Sequence, residues 1–438
     1  MRLLHTSDWH LDAKLEQLSR SDEQQKFLNW LRGTILEKQI DVLLVAGDIF
    51  DSGNPSNSSQ LRYNQFLREL YLDAKSGKSV CKTIIITAGN HDSPSLLNVS
   101  GPFMELLGMH VVTQPTENLR EMIIPVLNSD GQTEALIAAV PFLRGRDLVP
   151  YIERTEELEL AQQILNGMQT FYRIITDEAL KMRSEILEEE SQSNSTRNPK
   201  PRLESRIPII ATGHLFTAHG STLDGDGVLN HRGTLDQFPA SGFPPELSYI
   251  ALGHLHQPQR VDGKEYIRYS GAPITMNFSE AGISKQVLLV ETEADSEVRV
   301  TPIPVPTFQR LEVLKGDFSE IESSAKELPA EEPQIWIKAV FTGETYELSL
   351  RDQIEELFQT LPHLQLVSFE NQTAHSKRVL DEISQHEDLL TMKPQELFDR
   401  FLAMVHSSLA DSEKQDLNRL FEELLVQYEN RQIEDGIE

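Results

Sequence analysis

Through its first 300 residues the chain alternates short, continuously apolar runs with longer stretches in which apolar residues recur every three or four positions. The runs Arg2 to Thr6, Asp41 to Ala46, Thr83 to Ala88, Ala135 to Val140, Ile207 to Thr212 and Tyr249 to Leu252 are rich in Val, Ile and Leu. Continuous rather than alternating apolar residues predict strands buried on both faces. Ser21 to Gln39 carries Phe27, Leu28, Leu31 and Ile35 on one stripe, and Ser58 to Leu72 carries Leu61, Phe66, Leu67 and Leu70, so both read as amphipathic helices. Strands alternating with helices predict an α/β core. Glu153 to Glu190 is one long helical period, and the polar stretch that follows, about 190–203, reads as an exposed, mobile loop.

The pattern changes after Ile303-Pro304-Val305-Pro306. Strand periods at Phe308 to Leu314, Ile335 to Phe341 and Leu364 to Phe369, with a helical period at Leu348 to Thr360, predict a small second domain. The Pro-rich stretch suits a boundary, giving domains at 1–306 and 307–372 and a helical segment at 373–438. In that last segment Pro394 to Gln432 reads as two amphipathic helices. Leu397, Phe398, Phe401, Leu402 and Val405 line the first, and Leu417, Leu420, Phe421, Leu424 and Leu425 line the second.

Composition narrows the function classes. Hydrophobic residues make up 39% and charged residues 25% of the 438, which is ordinary for a globular protein. No apolar run approaches the roughly 18 residues of a membrane span, and the N-terminus lacks the pattern of a signal peptide, so a cytoplasmic protein is expected. The single cysteine, Cys81, excludes an internal disulfide and a thiolate zinc cluster. A net charge of −28 argues against a broad electrostatic grip on nucleic acid. The acidity is uneven: residues 311–438 hold 11 Lys and Arg against 28 Asp and Glu, whereas residues 1–110 hold 11 against 13. No phosphate-cradling glycine loop occurs, so the chain has no nucleotide-binding loop of its own.

The chemistry lies at the strand ends. Five predicted strands run out into Ser7-Asp8-Trp9-His10, Gly47-Asp48, Gly89-Asn90-His91-Asp92, Gly213-His214 and Gly253-His254-Leu255-His256. Ligands of open α/β sheets sit at the carboxyl ends of strands, so side chains scattered over 250 residues can converge there, and the glycines permit a sharp turn. Carboxylate, imidazole and amide oxygen together suit hard or borderline divalent ions such as manganese or iron. Arg144 and Arg146, just after another strand, are candidates for a nucleic-acid backbone contact.

The ordered set Asp-x-His, Gly-Asp, Gly-Asn-His-Asp, Gly-His and Gly-His-x-His resembles the calcineurin-like metallophosphoesterase superfamily, and within it the nuclease subunits of bacterial DNA-processing complexes. The resemblance implies a β-sandwich flanked by helices, a small α+β capping domain over the cleft and a C-terminal helical hairpin. It implies two divalent ions, with Mn²⁺ expected: Asp8, His10, Asp48 and His256 on one, Asp48, Asn90, His214 and His254 on the other, and Asp48 bridging. His91 would stabilise the transition state or protonate the leaving oxygen, with the Asp51 side chain hydrogen-bonded to its imidazole. The implied activity is exonuclease action on double-stranded DNA and endonuclease action on single strands or hairpins, in repair, recombination and replication. ATP would be hydrolysed by a partner, an SMC-like ATPase with a coiled coil on which Phe401, Leu402, Phe421 and Leu424 would dock. Homodimerisation within a heterotetramer, and a place at the bacterial nucleoid, are further implications. The alternative activities are a calcineurin-like phosphatase and a small-molecule or cyclic-nucleotide phosphodiesterase. Ser52 weighs against the phosphatase, which carries an arginine there to grip a dianionic monoester.

Overall fold

The computed structural model describes residues 1–99, 101–152, 160–193, 207–217, 237–292, 298–330, 333–343, 349–372, 398 and 417–421. The chain divides into two compact units, Met1–Arg310 and Leu311–Glu438.

The first unit opens with β1 (Arg2–Thr6), a short hairpin of β2 (Lys14–Leu15) and β3 (Leu18–Ser19), α1 (Ser21–Glu37), β4 (Val42–Ala46), α2 (Asn57–Lys75) and β5 (Thr83–Thr87). Two short helices, α3 (Pro94–Asn98) and α4 (Gly101–Glu105), lead to β6 (Met109–Val112). There follow β7 (Ile123–Leu127), β8 (Thr133–Ala138), α5 (Gly145–Leu148), α6 (Leu160–Ser193), β9 (Ile209–His214), β10 (Tyr249–Gly253), β11 (Gln259–Val261), β12 (Lys264–Tyr269), β13 (Gln286–Thr292) and β14 (Val298–Pro304). They form two six-stranded sheets, ordered β14-β13-β1-β4-β5-β6 and β11-β12-β10-β9-β8-β7. The central pairs β1–β4–β5–β6 and β8–β9–β10–β12 are parallel.

Continuous apolar strands follow from this layering. Along β4, Leu43 and Val45 face the core beneath α1 and α2, whereas Val42 and Leu44 meet Ile137, Ile210 and Tyr249 of the other sheet. Leu136, Ala138, Ile209 and Ile250 face the opposite way, toward Phe171, Tyr172 and Ile175 of α6. A helix–sheet–sheet–helix sandwich thus leaves no solvent face on the inner strands, and period-two alternation is erased. Trp9 is buried edge-on against Phe27 and Phe66, with its indole N–H donated to Thr6 Oγ1 at 3.1 Å, so it fills the core.

The second unit holds β15 (Leu311–Gly316), α7 (Phe318–Glu327), β16 (Ile335–Phe341), α8 (Leu350–Gln359) and β17 (Leu364–Asn371), with parallel strands in the order β15-β16-β17. Asp317 and Glu320 form a reciprocal capping box that starts α7, each side chain accepting the other's backbone N–H at 2.9 Å. Ile321 and Ala325 of α7, and Ile354 and Phe358 of α8, pack on Ile335, Ile337 and Ala339.

Several expectations shift. The loop expected from about 190 begins later, because α6 runs through Ser193 with Leu187 still packed on the core. Its start at Glu153 lies partly outside the described residues, as do Phe401, Leu402 and Leu424 of the expected docking helices. Of that tail Phe421 is described, and its ring stacks on Phe398 at 3.9 Å and 7°. The helix α7, with few apolar positions, the edge strands β7, β11 and β14, and their neighbours β12 and β13 are found beyond the expected elements. Among the described residues no helix is long and apolar enough to cross a membrane.

Candidate metal centre

The loops leaving β1, β4, β5, β9 and β10 meet at one end of the sandwich. The first two are zipped together by Asp8 N–H to Gly47 O at 3.0 Å, His10 N–H to Asp48 O at 3.1 Å and Leu11 N–H to Ile49 O at 2.9 Å. Asp92 ties in the third. Its buried carboxylate accepts from Gly89 N–H at 2.8 Å, Phe50 N–H at 3.0 Å and Ile49 N–H at 3.1 Å. Burial, with the Asp48 charge nearby, raises this carboxyl to about 6.

Two of the glycines are required for different reasons. Gly47 has φ +89, and a Cβ there would overlap the His214 ring. Gly253 makes no left-handed turn; a Cβ on it would collide with the Ala46 carbonyl, so the need is for space where strands of the two sheets converge.

All seven expected ligands arrive at one cluster. Asp48 Oδ2 lies 3.2 Å from His214 Nε2 and 3.6 Å from His10 Nε2, which puts this carboxylate between the two groups. Asn90 Oδ1 is 2.9 Å from His214 Nε2 and 3.1 Å from His254 Nδ1. His256 Nε2 faces His10 Nε2 at 3.2 Å. Ligand atoms of Asp8, His10 and His256, and of Asp8, Asp48 and His214, lie within 4.8 Å of one another. Asp8 is held by Ser7 Oγ–H at 2.5 Å and by the His254 N–H at 2.9 Å.

This donor set fits divalent cations. Imidazole nitrogens and carboxylate oxygens lie within 4.8 Å of one another in each group, and His10 Nε2 and His256 Nε2 face each other at 3.2 Å, two nitrogens that a shared cation would satisfy together. Burial disfavours a charged His10, yet the carboxylates of Asp51, Asp48 and Asp8 raise it to about 9. His214 is likewise raised to about 9, chiefly by Asp48 against the cost of burial. In turn Asp48, whose burial alone would raise it, is held well below the usual carboxylate range by His214 and His10. His254 is pushed down to about 3 by burial and by His214. A cluster that draws protons onto buried imidazoles is one in which a cation can replace them.

His91 stands beside the cluster. Its main-chain N–H donates to Asp48 Oδ1 at 2.9 Å, and its ring is 5.0 Å from that of His10. The expected Asp51 side-chain bond to His91 is corrected: His91 Nδ1 meets the main-chain carbonyl of Asp51 at 2.8 Å, whereas the Asp51 carboxylate lies 3.2 Å from His10 Nδ1. The His10 contact is a charge contact away from the N–H direction, which leaves Nδ1 short of a true hydrogen bond. Arg144 spreads over the Phe142 ring at 5.5 Å and donates to Asp92 O at 3.3 Å, at the margin of the centre. Arg146 is 69% exposed and pairs at 3.6 Å with Asp147, away from it.

Sequence reasoning missed Ser7, Ser270, Glu280 and Lys285. Ser7 Oγ is 2.8 Å from Ser270 Oγ, and Glu280 Oε1 is 3.2 Å from His256 Nδ1. Burial would raise the Glu280 carboxyl, but His256 and Lys285 outweigh it and lower it to about 2. Ser7 adjoins a motif residue, which is a usable signal; the others have none in the sequence.

Residues 1–258 match the calcineurin-like phosphoesterase family, and residues 307–406 match the type 5 capsule protein repressor C-terminal domain family. SbcD of the nuclease SbcCD from Escherichia coli (strain K12) is 34% identical over 423 residues, covering 96% of this chain and 97% of that one. The SbcD proteins of Rhodobacter capsulatus and Bacillus subtilis are 33% and 29% identical, over 70% and 68% of each chain respectively. With its ligand-bearing loops gathered as described, the chain belongs to the calcineurin-like phosphoesterase family and, within it, to the SbcD nuclease subunits.

Proposed function

We propose that this chain hydrolyses phosphodiester bonds of DNA with two divalent cations, Mn²⁺ in preference, as the nuclease subunit of a complex with an SbcC-type, SMC-like ATPase. The reading is supported above all by one observation: the approach of Asp48 to both His10 and His214, with Asp8, Asn90, His254 and His256 around them. Asp8, His10, Asp48 and His256 would hold one ion, and Asp48, Asn90, His214 and His254 the other. When bound, the pair supplies Lewis acidity to a phosphodiester and acidifies water.

The chain's own groups do the rest. The carbonyl of Asp51 can only accept, so His91 keeps its Nδ1 proton there, and as an imidazolium it would carry a second proton on Nε2 to give to the leaving oxygen, returning to the neutral ring. The Asp51 carboxylate steadies the His10 ring electrostatically. Arg144, held by Phe142 and the Asp92 carbonyl, is the better placed of the two arginines for a DNA backbone contact. Ser52 offers no fork for a monoester, which favours a diester substrate.

Exonuclease action on duplex ends and endonuclease action on single strands belong to the complex, and the partner supplies ATP hydrolysis. The tail carrying Phe401, Leu402, Phe421 and Leu424 would dock on it. Val99, Phe103 and Leu106 around α3 and α4 are 76%, 76% and 83% exposed, which suits a homodimer face. A Phe103→Glu, Leu106→Glu double variant is then expected to elute as a monomer by light scattering; an unchanged dimer would reject that face.

The activity is tested by two variants on linear duplex DNA with Mn²⁺. Asp48→Asn should lose cleavage and metal occupancy together. His91→Gln should lose cleavage by about 10²-fold or more, the usual worth of a general acid, and keep its metal. Cleavage retained in Asp48→Asn contradicts the reading.

A further inference from the structure

The four ligand imidazoles are not backed alike. His214 turns Nδ1 away from the centre to the Ala46 carbonyl at 3.0 Å, whereas His254 Nδ1 faces the candidate ligand Asn90 at 3.1 Å, on the side of the centre. His10 Nδ1 has, among the described residues, the off-axis contact to Asp51, a residue whose side chain is 43% exposed. Among the described residues, His256 is the one with a buried acid outside the ligand set behind its ring. Its Nδ1 meets Glu280 Oε1 at 3.2 Å, which leaves Nε2 aimed at the Asp8–His10 side of the centre.

Glu280 is fully buried and firmly held. Its Oε2 accepts from Met276 N–H at 2.8 Å and from the Lys285 ammonium at 2.5 Å. Lys285 also donates to the main-chain carbonyl of His256 at 3.2 Å, so one ammonium grips both the acid and the ligand's backbone. A buried ion pair gains little over apolar packing; this pair gains a contact to a ligand imidazole. Residues behind metal-bound histidines fix the ring tautomer and raise ligand basicity, and a carboxylate does so more strongly than a carbonyl.

We propose that Glu280 is a positioning residue of the metal centre: by accepting the Nδ1 proton of His256 it commits Nε2 to the cation, and it makes the ion at Asp8, His10 and His256 the more tightly held of the two. The inference rests on the two-metal reading above. Replacing Glu280 by Gln keeps the shape and reverses the polarity at one atom. Lys285 would orient the amide oxygen toward itself, so the amide N–H₂ would face His256 Nδ1 and favour the opposite tautomer.

The test is calorimetric titration of the chelator-treated full chain with Mn²⁺ alone, wild type against Glu280→Gln, with thermal unfolding of both metal-free proteins. Two ions of unequal affinity are expected in the wild type. In Glu280→Gln the tighter one should weaken about 10- to 100-fold while the weaker one stays put, and any fall in the unfolding temperature of the metal-free variant reports separately the loss of the buried pair with Lys285. Equal weakening of both ions, or none, overturns the proposal. A wild type that takes up fewer than two ions overturns the two-metal reading instead. Should Glu280→Gln fail to fold, ¹⁵N spectra of the wild-type histidine rings with Zn²⁺ decide, His256 being assigned from a His256→Gln sample. Protonated Nδ1 with unprotonated Nε2 supports the proposal, and the reverse overturns it.

Discussion

Left-handed backbone is concentrated on the candidate metal ligands. Asp8, His10, Asp48 and His254 have φ values of 52°, 42°, 51° and 102°. Such conformations cost on the order of 1–3 kcal/mol each at non-glycine residues, and here the hydrogen bonds between the β1 and β4 loops hold three of them in place. Asp12, at φ 85°, extends the strained run and accepts from Ser56 N–H at 2.7 Å and from the Ser56 and Ser59 hydroxyls at 2.8 and 2.9 Å. Burial would raise its carboxyl slightly, but these bonds hold it below the ordinary value. A depressed acid contributes stability in full above its unfolded pKa of about 3.9 and loses it as pH falls through the folded value. Asp12→Asn should therefore cost about 1 kcal/mol at neutral pH, kept modest by solvent, in urea unfolding. The gap to wild type should close on acidification below the carboxylate range; a gap that widens would contradict this. Residue by residue, the candidate ligands were legible because each ends an apolar run. The partner of His91 was not, because choosing between the carbonyl and the carboxylate of Asp51 depends on a loop conformation. Glu280 was invisible, since its contact with His256 exists only once β12 and β13 are in place.

At the scale of elements, inner strands and covering helices were readable because layering on both faces writes itself as unbroken apolar sequence: β1 ends where expected, and α1 and α2 shift by a few residues at their ends. Edge strands such as β14, half exposed and alternating weakly, carry too little apolar signal. The end of α6 was misplaced because Ser191 and Ser193 look like loop residues, while the helix before them is still anchored by the Arg120 to Glu185 bond at 2.5 Å. The tail from Pro394, read from its sequence as two amphipathic helices, has a predicted use. Deleting Pro394 to Glu438 is expected to abolish association with the SMC-like ATPase in pull-down while sparing Mn²⁺-dependent hydrolysis of a bis-aryl phosphodiester. Association that survives the deletion would move the docking surface elsewhere.

For the whole molecule the awkward quantity is a net charge of −28 on a nuclease. Two bound cations would supply positive charge where the scissile phosphate sits, and the general grip on DNA would fall to the partner, since affinity for duplex DNA scales with the phosphates neutralised by Lys and Arg. Cleavage of DNA by so acidic a chain therefore requires two cations meeting at Asp48. Anomalous diffraction at the manganese edge from crystals grown with Mn²⁺ tests it most directly. Two peaks are predicted, one against Asp8, His10 and His256 and one against Asn90, His214 and His254, both touching Asp48, roughly 3.5–4 Å apart as in two-metal sites. A single peak, or two with Asp48 bound to neither, would contradict it.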